Sequence, residues 1–215
     1  MLDSAKLILT RHKIWGLDDT DWKNVVVTSL EPGGESLSVL KVIDPTNNKS
    51  VVIKCYNPKL KDLGLRIGNV LSVANSDFIR QIRTSQDPNM PTIITASYLI
   101  EHQGQYFEIM PTAPGIELWG IFFHKYFPET PYHPTDEEYR QILEKFGLSL
   151  AAFHLAGASE ERLQRLSNPH DCVVFFATTI LSDANLGNFI YAPDTKSFTF
   201  IDTSQISLSL RDKRD

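Results

Sequence analysis

The sequence predicts an α+β protein with its strands first and its main helices after them. Three observations predict this. Residues 24–56 hold three short β-branched runs separated by turn residues. Residues 136–157 hold one long helical pattern with an apolar stripe. Between the two regions lies Pro-Thr-Ala-Pro-Gly at 111–115, where the composition changes from strand-rich to helix-rich. At 215 residues and 42% hydrophobic content the chain can bury a real core, as one domain or two small ones.

The run NVVVTSL at 24–30 reads as the first strand, and EPGGES is a glycine turn. LSVLKVID at 37–44 returns as a second strand, PTNNKS turns again, and VVIKCY at 51–56 is the third. An antiparallel meander is expected. Residues 58–86 carry Leu63, Ile67, Leu71, Phe78 and Ile82 at helical spacings, with a break expected near Ala74–Asn75. Residues 91–102 and 105–110 read as two strands joined by a Gln-Gly turn.

The apolar stretch 116–127 reads as helical. In the long helix, Thr135 is an N-cap with Glu138 three residues on, the pattern of a capping box. Ile142, Leu143, Phe146, Leu150 and Phe153 are its expected buried stripe. A short helix at 159–167, an apolar run at 173–181 and a hairpin at 189–202 complete the reading. The expected organisation is a strand-rich part at 1–110, a hinge at 111–115, and a mainly helical part at 116–215.

Composition excludes several function classes. The net charge of -5 argues against a nucleic-acid binder working through a broad basic surface. Lys59, Lys61, Arg66 and Arg211, Lys213, Arg214 are local basic groups that read as solvated loop charge. Cys55 and Cys172 form no metal-binding spacing and no disulfide framework, which fits a reducing compartment. The first sixteen residues hold too short an apolar run for a signal peptide or a membrane span. A cytoplasmic protein is expected, and export by a specialised secretion machine would leave no such signature. No G-x-S-x-G elbow occurs, and His124, His133 and His170 do not cluster with acids. His154 reads as a core histidine, and Trp15, Trp22 and Trp119 as packing residues.

The informative segment is LSDANLGNFIYAPDTKSFTFID at 181–202. Asp183 and Asn188 lie five residues apart, and Asp202 ends the following hairpin. Upstream, VVIK ends in Lys54, and GLSLAAFHLAG closes the long helix. In this order the features resemble the protein-kinase-like superfamily, and within it the aminoglycoside/choline phosphotransferase branch or a minimal effector-type kinase. The resemblance covers about residues 24–206. It implies a bilobal fold with an antiparallel N-lobe and a shortened helical C-lobe. It also implies ATP and Mg²⁺ as cofactors: Asp183 as catalytic base, Asn188 and Asp202 as metal ligands, and Lys54 on the phosphates. Gly33 and Gly34 would lie in the phosphate-facing turn, and Met110 and Thr112 where a hinge backbone meets adenine. The residue types suit the chemistry, because Mg²⁺ takes hard oxygen ligands and a second carboxylate can orient an acceptor hydroxyl.

Four departures from the family stand out. The pattern G-x-G-x-x-G is absent from the first turn, and Leu181 stands where the family usually has His. No glutamate occurs in 58–86 to pair with Lys54; Asp62, Asp77 and Gln81 are the nearest substitutes, while Glu101 and Glu108 are expected to face elsewhere. Only thirteen residues follow Asp202, where family members build the acceptor lobe. The expected activity is transfer of the γ-phosphate of Mg-ATP to a hydroxyl on a small molecule or a protein. The alternative is a pseudokinase, a nucleotide-binding interaction module without turnover.

Overall fold

The structure is a computed structural model that describes residues 2–14, 22–30, 32, 34–123, 132–156 and 186–206. It is of the α+β class, with antiparallel sheet and helices. Two compact units interleave along the chain: 1–65 with 96–112, and 66–95 with 113–215.

The first unit is a five-stranded antiparallel sheet of order β1-β2-β3-β6-β5. Its strands are β1 (Val26–Leu30), β2 (Ser36–Asp44), β3 (Lys49–Tyr56), β5 (Tyr98–His102) and β6 (Gln105–Pro111). The β-branched runs expected as strands are strands. Gln103 and Gly104 form the β5–β6 turn, both with positive φ (53° and 75°), as a tight hairpin turn requires. An unanticipated helix, α1 (Leu2–Arg11), belongs to this unit. Its Ala5, Ile8 and Leu9 share a core with Leu40, Val42, Ile53, Ile100 and Ile109. That i, i+3, i+4 stripe is the sequence signal for the helix. Trp22 packs against the same core, with the Lys6 ammonium 5.8 Å from its ring centroid. Trp15 lies outside the described residues.

The second unit holds α2 (Leu63–Ala74, from residue 66 onward), α3 (Asp77–Arg83), β4 (Thr92–Ile93), β7 (Ile116–Glu117), α4 (Leu118–Phe122), α5 (Asp136–Ala156), β8 (Phe189–Ala192) and β9 (Ser197–Phe200). Its sheet has the order β4-β9-β8-β7, with β4 parallel to β9 and the other pairs antiparallel. The helix expected at 58–86 is broken at Asn75–Ser76, as anticipated. Residues 66–95 precede the 111–115 segment yet belong with the residues beyond it. The reason is their burial: Val73, Phe78, Ile79 and Ile82 join Phe146, Phe189, Phe198 and Phe200 in one core.

The strand expected at 91–102 is two strands in two sheets. Ile94 N–H donates to Phe200 at 2.9 Å, and Ser97 N–H donates to Ile109 at 2.8 Å. The apolar stretch from 116 begins as a short strand before α4. The capping box at the start of α5 is present: Glu138 N–H donates to Thr135 Oγ1 (3.2 Å), and Thr135 N–H donates to Glu138 Oε2 (2.8 Å). The Thr135 N–H and the Thr135 hydroxyl, both donating to Glu138 Oε2, hold the Glu138 carboxyl below its usual range. Of the expected stripe, Ile142, Phe146 and Phe153 are buried and Leu150 is partly so, but Leu143 is 41% exposed. Ser149 and His154 are buried instead, since the stripe turns with the helix period. Trp119 is exposed, its ring 5.3 Å from that of Phe123. The expected helix at 159–167 and the apolar run at 173–181 lie outside the described residues. Among the described residues no helix is long and apolar enough to cross a membrane.

Candidate functional site

In the second unit the site is built on the β8–β9 hairpin. Its register pairs Phe189 with Phe200 and Tyr191 with Phe198. The ladder continues one step outward, where Ile201 N–H donates to the Asn188 carbonyl at 3.0 Å. Asn188 ends the 3-10 turn Leu186–Asn188, and Asp202 follows Ile201. The hairpin therefore brings an amide and a carboxylate, distant in sequence, to its open end. Aromatic packing fixes that end: Phe146 of α5 lies 4.8 Å from Phe189 and 5.4 Å from Phe198, and Phe189 lies 5.0 Å from Phe200 (ring centroids).

Asp202 caps the next 3-10 turn, Thr203–Gln205. Its Oδ1 accepts from Ser204 N–H at 3.2 Å and from Ser204 Oγ at 2.6 Å. Asn69 of α2 in turn donates to the Ser204 carbonyl at 2.9 Å. Sequence reasoning does not single out Ser204 or Asn69. The signal for Ser204 is the Asp-x-Ser spacing, which suits a local side-chain-to-backbone turn; nothing in the sequence marks Asn69. The donor set suits Mg²⁺: hard oxygens from an amide and a carboxylate, with the carboxylate oriented by a second layer of hydrogen bonds.

In the first unit the two faces of the sheet differ. One is the apolar face covered by α1. The other carries, by strand alternation, Val39, Val52, Lys54, Tyr56, Glu108 and Met110. Lys54 Nζ lies 3.7 Å from Glu35 Oε2 and 4.9 Å from the centroid of the Tyr56 ring. Tyr56 Oη donates to Glu108 Oε2 at 2.6 Å. Glu108 and Tyr56 are 1% and 0% exposed. The expectation that Glu108 faces away from Lys54 is corrected: the β3–β6 register sets the two residues directly opposite each other. Opposed residues of an antiparallel pair share a face. Glu101, paired with Tyr106, falls on the same face by alternation and is exposed.

Met110, expected near adenine, is buried opposite Val52. Thr112 donates its N–H to the Ser50 carbonyl at 3.4 Å, and its hydroxyl is 2.7 Å from Ser50 Oγ. An adenine contact through the Thr112 N–H would require the Ser50 pairing to open. Gly34 has no positive φ, and a Cβ there would meet nothing within 4 Å, so its backbone does not demand glycine. Gly33 and Asp183 lie outside the described residues. Asp77 pairs with Arg80 one turn on, at the surface, while Asp62 and Gln81 are exposed. His154 is a core residue, as expected; burial pushes its imidazole below the ordinary value. Burial likewise pushes the Cys55 thiol up.

No protein-family profile matches the chain, and no curated protein matches it in sequence. Among solved structures, the kinase domain of Mycobacterium tuberculosis PknI matches with a TM-score of 0.42 and 16% identity, over 86% of this chain. The present chain spans 60% of the length of that kinase domain.

Proposed function

We propose that the chain is an ATP-dependent phosphotransferase of the protein-kinase-like type, moving the γ-phosphate of Mg-ATP to a hydroxyl on a small molecule or a protein. The observation that supports this reading is the Ile201–Asn188 hydrogen bond, which extends the β8–β9 ladder so that Asn188 and Asp202 both stand at its open end. An amide and a carboxylate stand at the end of one hairpin, the carboxylate held by Ser204, and both are oxygen groups of the kind Mg²⁺ takes. Mg²⁺, when bound, would offset the charge on the transferring phosphoryl oxygens.

The remaining roles are those that the resemblance to the kinase-like pattern implies. Lys54 supplies a fixed positive charge for the α- and β-phosphates. Asp183 orients the acceptor hydroxyl and takes its proton. Gly33 and Gly34 allow backbone N–H groups near the phosphates, and Met110 borders the adenine, with Thr112 beyond it. The strand-rich residues before the 111–115 segment serve the nucleotide, and those after it serve the metal and the acceptor. A second reading, nucleotide binding without turnover, is favoured by one observation: 58–86 contains no glutamate for Lys54.

Two measurements test these readings. A thermal-shift titration with Mg-ATP is expected to stabilise the protein, and no stabilisation at millimolar nucleotide would reject both. Turnover of wild type is then compared with D183A and D202A. Equal ATP consumption by all three would reject the phosphotransferase and leave the binding module.

A further inference from the structure

We propose that Glu108, delivered by strand β6, is the carboxylate that holds Lys54 in position, in the part for which residues 58–86 offer no glutamate. The inference rests on reading Lys54 as the phosphate-binding lysine, and it names the residue that positions it. Lys54 and Glu108 are opposed in the β3–β6 register, which continues on both sides from Val51–Pro111 to Cys55–Phe107. Opposed Cβ atoms in such a ladder stand about 5 Å apart, within reach of both side chains. The separation is set by backbone hydrogen bonds and does not depend on how a helix is placed.

Burial gives the second argument. A carboxylate that is 1% exposed needs compensation for its lost hydration. Tyr56 supplies one part, donating its hydroxyl at 2.6 Å, a length typical of a charge-assisted O–H···O⁻ bond. The Lys54 ammonium lies 4.9 Å from the centroid of that same tyrosine ring. Tyr56 thus touches both members of the opposed pair, one through its ring and one through its hydroxyl. Lys54, Tyr56 and Glu108 form one cluster on one face of a single sheet.

Glu35 is the competing partner, at 3.7 Å from Lys54 Nζ. It sits in the β1–β2 turn, and its side chain is 22% exposed, so water screens this pair more than it screens Glu108. Glu108 is the anchored carboxylate, whereas Glu35 is the one an arriving phosphate can replace.

The test is a pair of double-mutant cycles on the full chain, K54M with E108Q and K54M with E35Q. Each cycle is read by urea unfolding without nucleotide and by Mg-ATP calorimetry. E108Q is expected to weaken Mg-ATP binding roughly tenfold, an ordinary coupling between groups in contact. It is expected to add little further loss in a K54M background, with E108D recovering part of the affinity. E35Q is expected to leave the affinity unchanged or raise it. In unfolding, K54M and E108Q are expected to be non-additive. Additivity of K54M with E108Q in both readouts, or a larger coupling for E35Q, would overturn the proposal. Unfolding coupling without any Mg-ATP binding supports the Lys54–Glu108 pair and rejects the nucleotide reading. Should E108Q fail to fold, Y56F keeps the carboxylate and removes its donor. A loss of affinity that vanishes in K54M then supports the proposal, and an equal loss in K54M overturns it.

Discussion

The Asn188 carbonyl accepts a hydrogen bond from Ile201 N–H at 3.0 Å, so Asn188 and Asp202 both stand at the open end of the β8–β9 hairpin. The side chains at this corner can be changed without touching that bond. Asp202→Asn keeps an oxygen able to accept from Ser204 and removes the charge. It is expected to lower phosphoryl transfer by at least about 100-fold, the scale of losing one electrostatic stabiliser at a reacting centre. The nucleotide-free melting temperature is expected to stay within about 4 °C of wild type, a change of roughly 1 kcal/mol or less. A large fall in that temperature would mean that Asp202 serves the fold first.

Gly115 and Gly34 should behave in opposite ways. Gly115 has φ of 123°, and a Cβ there would stand 2.3 Å from the Tyr191 carbonyl oxygen and 2.9 Å from Ile190 Cγ2. Its lack of a side chain lets the chain run close against β8 just before β7 pairs with that strand. Gly115→Ala is expected to cost about 2–4 kcal/mol, combining backbone strain with a clash against main chain. Gly34→Ala is expected to change stability by less than about 0.5 kcal/mol. Urea midpoints of the two variants decide it, and equal midpoints would contradict the geometry.

Phe146 links the long helix to the hairpin that bears Asn188 and Asp202. Phe146→Ala removes contacts to Phe189, Phe198 and Phe122 and is expected to cost about 3–5 kcal/mol. If the aromatic floor also positions the corner, a variant that remains folded at low temperature loses much of its Mg-ATP stabilisation. Thermal shifts measured with and without Mg-ATP separate the two effects.

His154 sets a pH dependence. Burial lowers its folded-state pKa below the ordinary value of 6.5. The unfolded chain therefore takes up the proton first as pH falls. The stability His154 contributes is complete above about pH 6.5 and declines as pH drops from there towards the folded value. His154→Phe is expected to flatten that part of the profile, read as urea midpoints between pH 5.5 and 7.5. An unchanged slope would place the acid sensitivity elsewhere.

The sequence revealed features whose signals are local. β-Branched runs marked β1 to β3, Thr135 and Glu138 marked the start of α5, and Ala74–Asn75 marked the break between α2 and α3. Features that depend on distant pairing were not legible. β4 is two residues long and pairs with β9 more than a hundred residues later, so no window of sequence contains its signal. Alternation showed that Glu108 lies on one face of its strand. Only the register showed that this face is also that of Lys54, and register is decided by turn geometry and core pattern together. At the candidate site the residue types and their order were visible, while Ser204 and Asn69, which orient Asp202 and the turn after it, required the fold. Asp183 and Gly33 lie outside the described residues, and their roles rest on the sequence reading.

The interleaving of the two units has a consequence for how the chain is made. Once residue 112 has left the ribosome, every strand of the first sheet is available to pair. Residues 66–95 are then exposed without their partners: Thr92 and Ile93 wait for Thr199 and Phe200, and Phe78, Ile79 and Ile82 wait for the aromatic core of the hairpin. Non-local contacts of this kind form late and leave apolar surface uncovered meanwhile. Chains stalled with 112 residues exposed are expected to be cut by protease within 66–95 while the first sheet resists, with the cleavage disappearing once residue 206 has emerged.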